Sequence, residues 1–205
     1  MKNILLVLLV SIIYNLPLFA TDPILLNCIE TPEIHDLDTR PESFNSSNNL
    51  RRKPGSPNVA FGELIHIVGR VTDINCLPIQ NAAVSIWHEN ACGSAKRDPN
   101  FAESGRSVTN NLGYYHFITI MPGKSGDRAP HIKFLVQHPD FPEFTTQMFF
   151  AGYDHNNCSD PVLKDLLSSG LASLLIAPLS YNDKGIKTYR FNITLNGSNK
   201  FTEKK

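Results

Sequence analysis

From Phe61 onward the chain is built of short apolar runs separated by turn residues, a texture that predicts strands rather than long helices. Leu64 to Thr72, Ala83 to His88, Tyr114 to Ile120, His131 to Gln137, Thr145 to Phe150 and Thr188 to Leu195 read as strands. Side chains two apart on each of them share a face. Asp73 to Pro78 and the Asn-Asn-Leu-Gly113 segment read as turns. One segment, Pro161 to Ser169, has helical spacing, with proline at its start and Gly170 at its end. Many short strands with one short C-terminal helix predict an all-β fold, a β-sandwich of mostly antiparallel strands over residues 61–197. No internal repeat is visible.

The flanks have a different texture. Met1-Lys-Asn precedes the apolar run Ile4 to Tyr14, then Asn15-Leu-Pro-Leu-Phe-Ala20, the layout of a cleavable secretory signal over residues 1–20. Broken by Asn15 and Pro17, this run is shorter than the roughly 20 apolar residues that span a bilayer. Export to a periplasmic or extracellular location, with no stable membrane span after cleavage, is the expectation. Residues 21–60 are rich in Pro, Asn, Ser and charge, including Arg51-Arg-Lys53, and read as an extended arm or linker. Residues 198–205 form a polar tail.

Nineteen basic residues balance nineteen acidic ones, so nucleic acid and anionic lipid are not expected as partners. Cys28, Cys76, Cys92 and Cys158 are an even set in an oxidising compartment, which predicts one or two disulfides. Full pairing has three connectivities, and none is selected by the sequence. No two of these cysteines have the close spacing of a zinc site.

Chemistry concentrates between Thr119 and Phe134. His131 and Lys133 lie two apart on a predicted strand and point to the same side. Two histidines so placed would aim two imidazoles at one cation, but an ammonium near neutral pH offers donors and no lone pair. Trp87 reads as a core residue, with Val84 and Ile86 on the opposite side of its strand. Elbow, P-loop, HExxH and dinucleotide motifs do not occur.

Several ordered motifs frame this segment: Gly69-Arg-Val-Thr-Asp73, Val84-Ser-Ile-Trp-His-Glu-Asn90, Gly105-Arg-Ser-Val-Thr109, Thr119-Ile-Met-Pro-Gly123 and Thr146-Gln-Met-Phe-Phe150. Together they resemble the intradiol ring-cleavage dioxygenases, in particular the protocatechuate 3,4-dioxygenase β-chain group, over about two thirds of the chain. The resemblance implies an oxidoreductase that holds one ferric ion through two tyrosinates and two histidines and cleaves catechols with O₂. Carried onto this chain, the tyrosine positions fall at Ala95 and Ser125 and the histidine positions at His131 and Lys133. Arg128 matches the arginine that stabilises the anionic substrate intermediate.

His131 is therefore the one matched ligand, no metal site or cofactor is predicted, and the pocket remnant is Arg128, His131 and Lys133. A non-catalytic binding or assembly module is the expected role, with a small aromatic or anionic ligand as its expected partner. Arg128 and Lys133 would serve as the anion site unless they pair with nearby carboxylates such as Asp127. The alternative is a dioxygenase with a rearranged Fe(III) site, drawing on His88, His116, His138, His155, Tyr114, Tyr115 or Tyr153. Family members are often oligomers, so assembly is also an expectation.

Overall fold

A computed structural model describes residues 28–36, 38–93 and 97–197; the predicted signal, the polar tail and Ala95 lie outside the described residues. Among the described residues, ten strands build two mixed sheets. The strands are β1 (Leu64–Asp73), β2 (Ala83–Trp87), β3 (Ser104–Val108), β4 (Tyr114–Ile120), β5 (His131–His138), β6 (Phe141–Phe150), β7 (Ile176–Ala177), β8 (Leu179–Tyr181), β9 (Lys187–Arg190) and β10 (Ile193–Leu195).

In one sheet β1 pairs antiparallel with β4 and parallel with both β9 and β10, while β8 pairs with β9. The other runs β3-β2-β5-β6-β7, antiparallel except for the last pair. The sandwich is thus all-β, as expected. Of the helices, α1 (Asp154–Ser159) and α2 (Pro161–Leu167) sit between β6 and β7, and only α2 was expected. A 3₁₀ turn, Leu171–Leu175, follows them. The expected strand from Thr188 to Leu195 is two strands, because the chain breaks between Arg190 and Ile193 to move along β1.

Alternation works where one face is apolar. In β4, Tyr115 and Phe117 are buried while Tyr114 and His116 are exposed. Ile65 and Ile67 of β1 meet Ile86 of β2, Phe134 of β5 and Met148 of β6 in a single buried cluster. Phe191 packs at a tilt against Phe134 with ring centroids 5.0 Å apart, and the buried Tyr115 hydroxyl donates to the Phe191 carbonyl at 2.5 Å.

The described residues between 28 and 60 carry no named strand or helix, and although most of them are exposed or half-buried the arm is docked on the sandwich. Its backbone pairs with strand edges. Thr31 N–H donates to Thr194 of β10 at 3.1 Å and Ile34 N–H to Thr145 of β6 at 2.9 Å. Further along, Arg106 of β3 donates to Ser47, and Leu50 donates to Ile118 of β4. Open edges otherwise invite pairing with other chains, and the arm covers these stretches. Leu50 is fully buried in the core, which explains why so polar a segment stays docked. Cys28 at the head of the arm is bonded to Cys76 in the turn after β1, while Cys92 and Cys158 are free and exposed.

Candidate functional site

Strands β2, β5 and β6 lie in register, so Trp87, Lys133 and Gln147 are cross-strand neighbours and His131 stands opposite Phe149. Alternation sends Ile132 and Phe134 into the core and turns His131 and Lys133 to the other face of the sheet. There the arm crosses over them. A cavity of about 160 Å³ remains between sheet and arm, lined among others by Asp36, Trp87, His88, Ser125, Arg128, His131 and Lys133. The pocket-remnant residues named from the sequence thus share one cavity.

Asp36 of the arm is the centre of its polar network. Its Oδ1 accepts from Lys133 Nζ and from the Asp38 N–H, each at 3.1 Å. Oδ2 accepts from Gln147 Nε2 at 2.9 Å and from Arg128 Nη1 at 3.2 Å. Lys133 Nζ also donates to the Asp38 carbonyl at 2.7 Å. Burial raises the Asp36 carboxyl, but the hydrogen bond and charge of Lys133, with the Asp38 N–H and Gln147, more than offset it and hold the group below its ordinary value.

A second carboxylate backs the first. Asp160, fully buried, accepts through Oδ2 from Arg128 Nε at 3.0 Å and from the Ala129 N–H at 2.8 Å. Its Oδ1 caps α2 by accepting from the Val162 N–H at 3.0 Å. Arg128 Nη2 donates to Gln147 Oε1 at 2.5 Å, which closes the network. Arg128 and Lys133 therefore do pair with carboxylates, but not with Asp127. Their partners lie 32 and 92 residues from Arg128 and 97 from Lys133. The open anion site expected from these two cations is already filled by Asp36.

Burial disfavours the charged form of both histidines that line the cavity. His131 Nδ1 donates to the Ala129 carbonyl at 2.8 Å, which leaves the lone pair on Nε2, and the ring stacks on Phe149. Burial lowers its pKa, opposed by the Ala129 carbonyl and reinforced by the nearby Arg128 charge. His88 Nδ1 donates to the Glu89 carbonyl at 2.6 Å and Nε2 accepts from the Thr119 hydroxyl at 2.8 Å. Full burial takes His88 down to about 4, with the Glu89 carbonyl opposing and His131 adding to the shift.

Ser125 lines the cavity, in a tight turn bridged to Arg128. The loop after β2, which leads to position 95, presses on the same segment. A Cβ at Gly93 would stand 2.1 Å from the Lys124 carbonyl oxygen and one at Gly123 would stand 2.3 Å from the Gly93 nitrogen, so both must be glycine. Of the two positions where the resemblance implies phenolates, Ser125 borders the pocket and carries only a short hydroxymethyl group, while position 95 lies outside the described residues.

A ferric ion does not fit these residues. One imidazole nitrogen is offered, the ammonium of Lys133 stands beside it, and the lone pairs of Asp36 are engaged by four donors. No three His, Cys, Asp or Glu side chains among the described residues converge to hold a metal. The donors named for a rearranged site are dispersed as well. His116 bonds Asn48, Tyr115 is buried against Phe191, His138 sits beside Asp140, and His155 is exposed on α1 rather than in a loop. Tyr153 packs on Phe150 and lines a different groove. Of the seven, His88 alone lines the cavity that holds His131.

Asp36, Gln147 and Asp160 were not expected as site residues. Asp160 carried a signal, since Asp-Pro before a helical run is an N-cap, but nothing local pointed its second oxygen at Arg128. Asp36 carried none.

The family profile described as Dioxygenase matches residues 40–129. A provisionally named dioxygenase of Rickettsia typhi is 29% identical, covering 91% of this chain and 93% of its own. The protocatechuate 3,4-dioxygenase beta chain of Burkholderia cepacia is 32% identical, covering 71% of this chain and 68% of its own. Among solved structures, an intradiol ring-cleavage dioxygenase from Tetranychus urticae superposes with a TM-score of 0.65 at 20% identity, over 85% of this chain and 98% of that one, a likeness of fold. Sequence and fold agree: the chain belongs to the intradiol ring-cleavage dioxygenase family.

Proposed function

We propose that this chain is an exported, non-catalytic member of its family, in which an ion-pair network stands where a ferric centre would be built. The observation that carries this reading is the Lys133 ammonium, buried at 8% exposure on the strand position of the second histidine and bonded to Asp36 and the Asp38 carbonyl. An ammonium there repels a trivalent cation, and Arg128 adds a second positive charge on the same side. The Cys28–Cys76 bond supports export, because disulfides persist in oxidising compartments.

Iron analysis and turnover test the reading. Purified protein supplied with ferric iron is expected to be colourless, to hold far less than one iron per chain, and to leave catechol and protocatechuate unchanged. Stoichiometric iron with a tyrosinate-to-iron absorption band, or ring cleavage of either catechol, overturns it. Secretion is tested separately by fractionating cells that express the full chain; protein retained with an uncut N-terminus counts against export.

A further inference from the structure

The donors around Asp36 are fixed by groups other than Asp36. Arg128 is held by Asp160 and Gln147, Gln147 is held by Arg128, and Lys133 is held by the Asp38 carbonyl. Lys133, Gln147 and Asp160 are at most 8% exposed, whereas the Asp36 side chain is 23% exposed at the rim. The arrangement is that of a preformed receptor with a carboxylate seated in it. Free space of about 160 Å³ adjoins that carboxylate, with Trp87, His88 and His131 among its walls. Its occupant comes from an irregular arm, eight residues after a cysteine whose bond to Cys76 ties the arm to the turn after β1.

We propose that Arg128, Lys133 and Gln147 form a binding site for a small organic carboxylate, and that Asp36 is its built-in occupant, competing with external carboxylates for the same three donors. The tether makes Asp36 an intramolecular ligand at high effective concentration, so free carboxylates bind weakly while the arm is docked. Vacating Asp36 frees a site with two cations and one amide donor for a single anion. Two-point recognition suits a planar carboxylate, whose oxygens accept from different donors as those of Asp36 do. The inference rests on the non-catalytic reading, since a metal seated beside His131 would compete with the ammonium of Lys133.

The test uses acetate on the disulfide-intact mature chain, with chloride at equal ionic strength as control. In Asp36→Ala the receptor is vacated, and a tenfold excess of acetate over its Kd adds about 1.4 kcal/mol of stability. At this chain length that is a rise of roughly 3–6 °C in Tm. The unaltered protein should rise by less than 1 °C, on the order of the noise in such scans, and Asp36→Ala/Lys133→Met should lose most of the response. Equal acetate shifts in all three proteins, or none in Asp36→Ala, overturn the proposal. If Asp36→Ala does not fold in chloride, its refolding yield is measured against acetate concentration. Acetate-dependent recovery supports the site, and recovery independent of acetate overturns it. Iron content is read on the same samples: iron-loaded protein fails the non-catalytic reading, while iron-free protein without an acetate response fails this inference alone.

Discussion

Removing Lys133 and Asp36 singly and together measures how far the pocket depends on their pairing. Asp36→Ala leaves the buried Lys133 ammonium with the Asp38 carbonyl and no carboxylate, while Arg128 keeps Asp160. Breaking a buried pair by deleting one partner costs 3–5 kcal/mol, and the partial exposure of Asp36 puts this case at the low end, about 3 kcal/mol. Lys133→Met keeps most of the stem's packing, and Asp36 retains Arg128, Gln147 and the Asp38 N–H. Its cost is about 1–2 kcal/mol, mainly the bonds lost to Asp36 and the Asp38 carbonyl. With both changed, no ammonium is stranded, and the double variant should lose about 2 kcal/mol rather than the sum of about 4–5, a coupling of about 2–3 kcal/mol. Urea unfolding at neutral pH, with the disulfide intact, gives the three values. Additivity within about 0.5 kcal/mol would refute the pairing as a determinant of the pocket.

The arm yields further expectations. Reducing Cys28–Cys76, which closes a separation of 48 residues, should cost about 4 kcal/mol by the loop-entropy relation, read as a fall in urea midpoint with the Cys28→Ser/Cys76→Ser variant as control; no change would mean that the arm is held without it. Leu50→Ala should cost about 2–5 kcal/mol because Leu50 is fully buried, and a loss under about 0.5 kcal/mol would show the arm to be peripheral. His88 gives a pH signature: its folded pKa of about 4 lies below the unfolded value of 6.5, so the unfolded chain binds the proton first. Stability should therefore fall as pH drops from about 6.5 to about 4, by on the order of 3 kcal/mol, with no further loss from this group below that; His88→Gln should flatten that limb in urea titrations across pH, and an unchanged slope contradicts the assignment. Asp36, held below 3.8, contributes stability that is complete above that value and is lost as pH falls through its lowered pKa, so Asp36→Ala should flatten only the more acidic limb.

The sandwich was legible because its main strands each turn apolar residues at alternate positions into the core. Val84 and Ile86 of β2, Tyr115 and Phe117 of β4, and Ile132 and Phe134 of β5 each lie two apart and meet in one core. β3 and β8 escaped because they lack that signal: Ser104 to Val108 contains one apolar residue, and Leu179 to Tyr181 is exposed throughout. They are strands through backbone pairing with β2 and β9, which leaves no mark on composition. The arm read as possible linker for the same reason, since its docking uses main-chain bonds to strand edges and one buried leucine. At the site, strand geometry put His131 and Lys133 on one side, and the family resemblance added Arg128. It missed Asp36, whose role depends on a crossing set by contacts far along the chain.

Those contacts explain why this pocket stays polar rather than collapsing into apolar packing. Asp160 is committed to the N-terminus of α2 and to the Ala129 N–H, so a buried carboxylate is present regardless of the cavity's use. Arg128 answers that charge, and Lys133 then adds a cation that Asp160 does not reach with any bond among the described residues. A second carboxylate is needed, because an uncompensated buried ammonium costs several kcal/mol. Asp36 meets the need only where the arm holds it, between the Ile34–Thr145 bond and the crossing over β2 and β5. Cys28–Cys76 and Thr31 fix the start of that path, and Leu50 fixes its end. The polar pocket and the edge-covering arm are thus one structure, and changes that loosen the arm should appear first as a loss of charge balance at Lys133.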